Sequence, residues 1–170
     1  MKRILLFLSS CRDGNPDRYD KLYEAARQYG WSIKTIECRL RKPNVSELLK
    51  IWRPVGVIAE CGNGMPELNG RAFGRLPVVY CNARPGSQGR GSYAFLDEDA
   101  IGRLAARHLL ETGYAHYAFV SFRIPVYWNE DRCRAFCGEI GRSGLSFDGS
   151  FDAMADERPE SRQRRLSNWL

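Results

Sequence analysis

Polar residues gather just after short apolar runs in this chain of 170 residues, and the clearest set is Asp97, Trp128, Glu130 and Arg132. Tyr93-Ala94-Phe95-Leu96 reads as a strand ending on Asp97. Tyr117-Ala118-Phe119-Val120-Ser121 reads as another, and the loop after it delivers Trp128, Glu130, Asp131 and Arg132 to a helix start. A carboxylate accepts hydrogen bonds, a planar guanidinium donates to paired oxygen acceptors, and an indole stacks on the apolar face of a ring. Open α/β sheets bind ligands at the carboxyl ends of their strands. The set therefore predicts a binding site for a small polar molecule. Arg12 and Asp13 after the first strand, and Glu60 at the end of the third, occupy the same kind of position and extend the candidate list.

Each of these residues also has a purely structural role open to it. Asp97 suits a helix N-cap, with Glu98 and Asp99 favourable to the helix dipole. Arg132 fits a surface arginine in a first helical turn, although a cation there opposes the dipole. Trp128 fits a core aromatic, Glu60 a turn, and Arg12 and Asp13 ordinary loop polarity.

Enzyme chemistry finds little footing. The loop Ser9-Ser10-Cys11-Arg12-Asp13-Gly14-Asn15-Pro16 lacks the Gly-x-Gly-x-x-Gly of a dinucleotide fold. The run from Gly86 to Gly91 lacks the lysine of a phosphate loop, and no Gly-x-Ser-x-Gly elbow occurs. Six cysteines are present without a Cys-x-x-Cys pair, and His108 and His116 do not stand at zinc-ligand spacing. Cys11, Cys38, Cys61 and Cys81 fall at or just past predicted strand ends, while Cys133 and Cys137 stand one helical turn apart. Reduced thiols serving mainly as small core residues are expected, with no metal and no cofactor. A flavodoxin-like or thiol-dependent enzyme domain using the cysteines at the strand ends, Cys11 among them, is the alternative from another functional class.

The elements that must position these residues alternate. Arg3 to Ser9 is a continuously apolar first strand, as in a strand covered on both faces. Asp17 to Tyr29 is an amphipathic helix with Leu22, Ala25, Ala26 and Tyr29 inward, closed by Gly30. Strands follow at Trp31 to Glu37, Pro54 to Ala59, Pro77 to Tyr80 and Tyr93 to Leu96. A helix begins after Asn44, with Glu47 placed to complete a capping box, and a short one follows Pro66. The helix opened by Asp97 carries Ile101, Leu104, Ala105, His108 and Leu109 on one face and stops at Gly113. The segment from Gly141 to Glu160 is rich in Gly, Ser, Asp and Pro, and a last helix runs from Arg162 to Leu170. Such alternation predicts a mostly parallel, doubly wound α/β sheet.

Two groups of residues carry a family resemblance. Asp97 after a strand, Gly102 in the next helix, His108-Leu109 and Gly113 resemble the effector-binding core of the lactose-repressor and galactose-repressor family. Gly56-Val57-Ile58-Ala59, Asp97, Tyr117-Ala118-Phe119 and Trp128-x-x-x-Arg132-x-x-Ala135-Phe136 resemble, more closely, regulators of xylose operons. In those a sugar-binding domain of periplasmic-binding-protein type precedes a DNA-binding domain of arabinose-regulator type. The resemblance implies a cytoplasmic, non-enzymatic sensor of a pentose such as xylose, homodimeric in full-length form. It places Asp97 at the ligand cleft and has Arg132 clamp sugar hydroxyls. It also implies that residues 1–145 are the first lobe of a two-lobed domain, that residues 146–170 open the second, and that DNA is met only through a module outside this chain.

Composition agrees with an ordinary globule. The net charge of +6 is spread along the chain, with concentrations at Arg39 to Lys42 and Arg162 to Arg165 that do not alternate with aromatics. A solvated basic surface is the expectation. No apolar run approaches the length of a membrane span.

Overall fold

The computed structural model describes residues 1–8, 16–38, 42–61, 65–122, 126–153 and 158–169. Contacts divide the chain into two compact units, Met1–Leu96 and Asp97–Leu170.

In the first unit the run Ile4 to Leu8 is buried without a break, which only a strand with neighbours on both edges and cover on both faces allows. It belongs to β1 (Lys2–Leu8), which lies between β2 (Trp31–Glu37) and β3 (Gly56–Glu60) in a sheet completed by β4 (Val78–Cys81) and β5 (Ser92–Ala94). The order is β2-β1-β3-β4-β5 and every pair is parallel. Helices α1 (Pro16–Gln28), α2 (Val45–Trp52) and α3 (Gly70–Phe73) lie in the first three connections, and a run of turns joins β4 to β5. Asn44 caps α2 as expected: its Oδ1 accepts from the Glu47 N–H at 3.3 Å, and its Nδ2 donates to the Glu47 carboxylate at 3.1 Å. Gly30 ends α1 with φ 64°, a conformation that disfavours any side chain.

Beneath the sheet runs a chain of aromatic rings. Phe7 meets Phe73 at 5.7 Å between centroids, Phe73 meets Tyr80 at 6.4 Å, and Tyr80 meets Tyr93 at 5.2 Å. With Leu5, Val57, Ala59, Leu68 and Val78 they form the core. Each large side chain buried here contributes roughly 1.5–3 kcal/mol. Truncation of Phe73, which is 2% exposed, should cost about 3–5 kcal/mol.

The second unit comprises α4 (Glu98–Glu111), β6 (His116–Phe122), α5 (Tyr127–Arg142), β7 (Ser146–Ala153) and α6 (Pro159–Trp169). β6 and β7 pair in parallel, with a register shift between Tyr117 and Phe119. Ala106, Tyr117, Phe136 and Ile140 are the buried centre, flanked by Leu110, Phe119 and Phe147. α4 and α5 approach through a notch at Gly102. A Cβ there would stand 2.4 Å from the Arg132 carbonyl oxygen and 2.9 Å from the Ala135 methyl.

Several expectations are corrected. β6 pairs with β7 in a two-stranded sheet of its own. β7 occupies part of the Gly- and Ser-rich segment, to which no strand was assigned; Phe147 and Phe151 supply its apolar positions. On α4 the buried positions are Glu98, Gly102 and Ala106, because the close approach of α5 selects small residues, and Leu104 is 70% exposed. Tyr29 is likewise 70% exposed, since α1 has ended at Gln28 and the chain turns there. β5 is shorter than expected, leaving Phe95 and Leu96 exposed.

Candidate functional site

Strand order fixes where the first unit can bind a ligand. In a 2-1-3-4-5 sheet the chain reverses direction of winding between β1 and β3, and the crevice lies beyond their carboxyl ends. Glu60 stands there as the last residue of β3, 6% exposed, with Asn82 Nδ2 donating to its Oε1 at 3.0 Å. Asn82 holds this position in a left-handed conformation, φ 54°, just past β4. Asn tolerates that geometry better than most residues. Cys38, Cys61 and Cys81 follow or end β2, β3 and β4 on the same edge, the first two buried and the third half-buried. Burial, then the neighbouring Cys81 and Glu60, push the Cys61 thiol up to about 12, which removes it as a neutral-pH nucleophile. Arg12 and Asp13 lie outside the described residues, as does Cys11. A shallow groove lined by Lys2, Arg3, Tyr29, Arg53 and Val55 opens at the opposite, amino-terminal edge and includes none of the candidates.

In the second unit the polar groups converge around the start of α5. Arg132 Nε donates to Glu98 Oε2 at 2.5 Å, and its guanidinium carbon lies 5.0 Å from the centre of the Trp128 ring. Glu98 is 7% exposed and the Arg132 side chain 31%. A guanidinium fixed through Nε and placed over an indole is preorganised, which suits hydrogen bonding to paired oxygens. Beside it, buried Asn129 donates through Nδ2 to Ser121 Oγ at 2.6 Å, tying α5 to the end of β6. Arg134 bridges Asp131 at 2.7 Å and Asp99 at 3.2 Å on the outer surface.

One expectation needs revision. α5 starts at Tyr127, so Trp128 lies at the helix start as expected, whereas Arg132 sits in the second turn and not the first. The dipole argument for a special role at Arg132 loses weight accordingly, because that field fades beyond the first turn. Asp97 is the N-cap of α4, its Oδ1 accepting from the Ala100 N–H at 2.8 Å. Glu130 is exposed on the first turn of α5. The structure thus brings Trp128 and Arg132 together, while Glu60 belongs to the other unit.

Sequence reasoning missed Glu98, Asn129, Ser121 and Asn82. Glu98 had read as a dipole-stabilising surface residue. The available signal was its separation of four from Gly102, which puts both on the face that α5 covers. Among the described residues no group of three or more His, Cys, Asp or Glu side chains gathers as a metal site.

No protein-family model matches the chain, and no curated protein matches its sequence. Solved structures do. The lactose repressor bound to the anti-inducer ONPF superimposes with a TM-score of 0.69 over 89% of this chain, at 16% identity. A periplasmic binding protein/LacI transcriptional regulator from Alkaliphilus metalliredigens QYMF, complexed with D-xylulofuranose, gives 0.68 over 98% at 18% identity. A LacI family transcriptional regulator from Mycobacterium smegmatis gives 0.65 over 90% at 21%. The chain spans 58%, 65% and 56% of those three chains respectively. The fold is therefore α/β with a five-stranded parallel sheet, that of one lobe of the periplasmic binding proteins and lactose-repressor-type effector domains. These neighbours are regulators and binding proteins. Among the described residues no helix is long and apolar enough to cross a membrane.

Proposed function

We propose that the chain is part of the sugar-sensing domain of a cytoplasmic transcriptional regulator, the effector being a pentose such as xylose. The observation that carries this reading is the Glu98–Arg132–Trp128 arrangement on a fold of this class. A guanidinium anchored by a carboxylate beside an aromatic ring offers a sugar both hydroxyl recognition and an apolar stacking surface. The resemblance of Trp128-x-x-x-Arg132-x-x-Ala135-Phe136 to regulators of xylose operons supports the same choice, and the neighbour complexed with D-xylulofuranose agrees in ligand class. Met1–Leu96 would be one lobe and Asp97 onward the opening of a second. The chemistry needs no cofactor. Sugar binding would act by shifting a conformational equilibrium in a homodimer, and no element of these residues is assigned to DNA.

The test is NMR of the Trp128 indole N–H, assigned with Trp128→Phe, during titration with D-xylose, L-arabinose, D-ribose and D-glucose. Weak, millimolar and stereoselective perturbation by a pentose, abolished in Arg132→Lys, is expected. Equal or absent responses to all four sugars would reject the pentose-sensing assignment.

A further inference from the structure

Two half-buried thiols, Cys133 and Cys137, stand one turn apart on α5 with their Sγ atoms 3.9 Å apart. Residues four apart on a helix hold their Cβ atoms about 5–6 Å from each other. A disulfide requires about 3.5–4.5 Å between those atoms. As long as α5 stays helical the pair resists closing on itself. The two sulfurs are nevertheless near enough to share a third atom, since two bonds of about 2.3 Å reach across at most about 4.6 Å when collinear and less when bent. We propose that Cys133 and Cys137 form a chelating dithiol for a soft, thiophilic centre satisfied by two sulfur donors, either monovalent copper or a monosubstituted trivalent arsenical.

The surroundings select that class. No third His, Cys, Asp or Glu among the described residues completes a metal site, so an ion demanding four protein ligands is poorly served. Thiolate pairs favour soft centres over the oxygen-seeking cations. Access also favours this pair, because both α5 thiols are half-buried, whereas Cys38 and Cys61 are buried and leave Cys81 the single half-buried thiol described in the first unit. Burial and the adjacent Cys133 push the Cys137 thiol up to about 11, so at neutral pH it carries a proton that capture must release. With an arsenical R–As=O, two As–S bonds replace two S–H bonds, and the oxygen leaves as water with both protons. Arsenic stays trivalent throughout. With copper, two Cu–S bonds form and both protons pass to solvent.

The probes are phenylarsine oxide, followed by intact mass and by counting reactive thiols, and monovalent copper, followed by competition with a chromogenic chelator. The native 170-residue chain should gain one phenylarsenic group with loss of one water and lose two reactive thiols, or withdraw one copper from the chelator. Cys133→Ser and Cys137→Ser should each abolish capture. The decisive variant combines Cys137→Ser with Gly138→Cys. It keeps the number of thiols but moves one about 100° round the helix, into space where an added Cβ meets nothing within 4 Å. Loss of capture in this variant, with unchanged circular dichroism, supports the dithiol. Retained capture there, or failure of the native chain with both probes, overturns it. Capture of one probe alone assigns the site to that source.

Discussion

Arg132 is held by a carboxylate that has almost no other access to water, and this makes the pair asymmetric. Removing the guanidinium leaves Glu98 buried beside the start of α4 without its charged partner. Arg132→Ala should destabilise the protein by about 1–3 kcal/mol, below the usual figure for a buried pair because the arginine is partly exposed. Adding Glu98→Leu should recover most of the loss, since two apolar groups replace two coupled charges. Urea denaturation of the single and double variants measures this. No recovery in the double variant would mean that Arg132 acts through Trp128 and not through Glu98. A second residue-scale prediction concerns pH. Cys61 is raised from 9.0 to about 12, by burial first, and Tyr80 from 10.0 to about 12, also by burial. In both, the folded state keeps a proton that the unfolded state gives up, so their contribution is full below pH 9 and falls as pH rises from 9 to 12. Stability measured across that window should decline, and Cys61→Ala should flatten its lower part.

Helix α5 offers opposite outcomes from the same change made at two glycines that touch it. Gly102→Ala forces a methyl onto the Arg132 carbonyl, which is backbone and cannot swing aside, and should cost roughly 1–3 kcal/mol as the helices separate. Gly138→Ala lies within α5 facing open space and should stabilise by about 0.5–1 kcal/mol through helix propensity alone. Thermal melts of both settle the signs. This contrast explains what could be seen in the sequence. The strands of the first unit were legible because β1 and β3 are buried on both faces and read as unbroken apolar runs, and α2 was legible because Asn44 and Glu47 sit at capping-box spacing. The inward face of α4 was not. An apolar-stripe reading favours Leu104 and Leu109, whereas the contact with α5 is made by small residues and one buried charge. β7 escaped because Gly149 and its serines look like turn residues, and its pairing with β6 is a long-range property. Arg132 and Trp128 stood out in the sequence because both follow closely on the apolar run of β6. Glu98 was not, because its partner lies 34 positions away.

The two units differ in how well each is supported. The first has five hydrogen-bonded strands and a continuous aromatic core, whereas the second rests on a two-stranded parallel ribbon, with Val120 56% exposed, and a smaller buried cluster. Two parallel strands alone bury little and leave both outer edges unpaired. Limited proteolysis should cut first within Asp97–Leu170 and leave a resistant product close to Met1–Leu96. Initial cleavage inside the first unit would contradict that ranking. The β2-β1-β3 order has a consequence in time as well. During synthesis β1 emerges before either of its neighbours, which are residues 31–37 on one side and 56–60 on the other. The most apolar strand of the chain must therefore wait, with one edge open, until α2 and β3 have been made. No local turn can close the gap, because parallel partners require crossovers. Folding should be slow for a chain of this size. The period before β3 arrives is when β1 is most prone to pair with another copy of itself, so slowing initiation or cooling the culture should raise the yield of soluble chain.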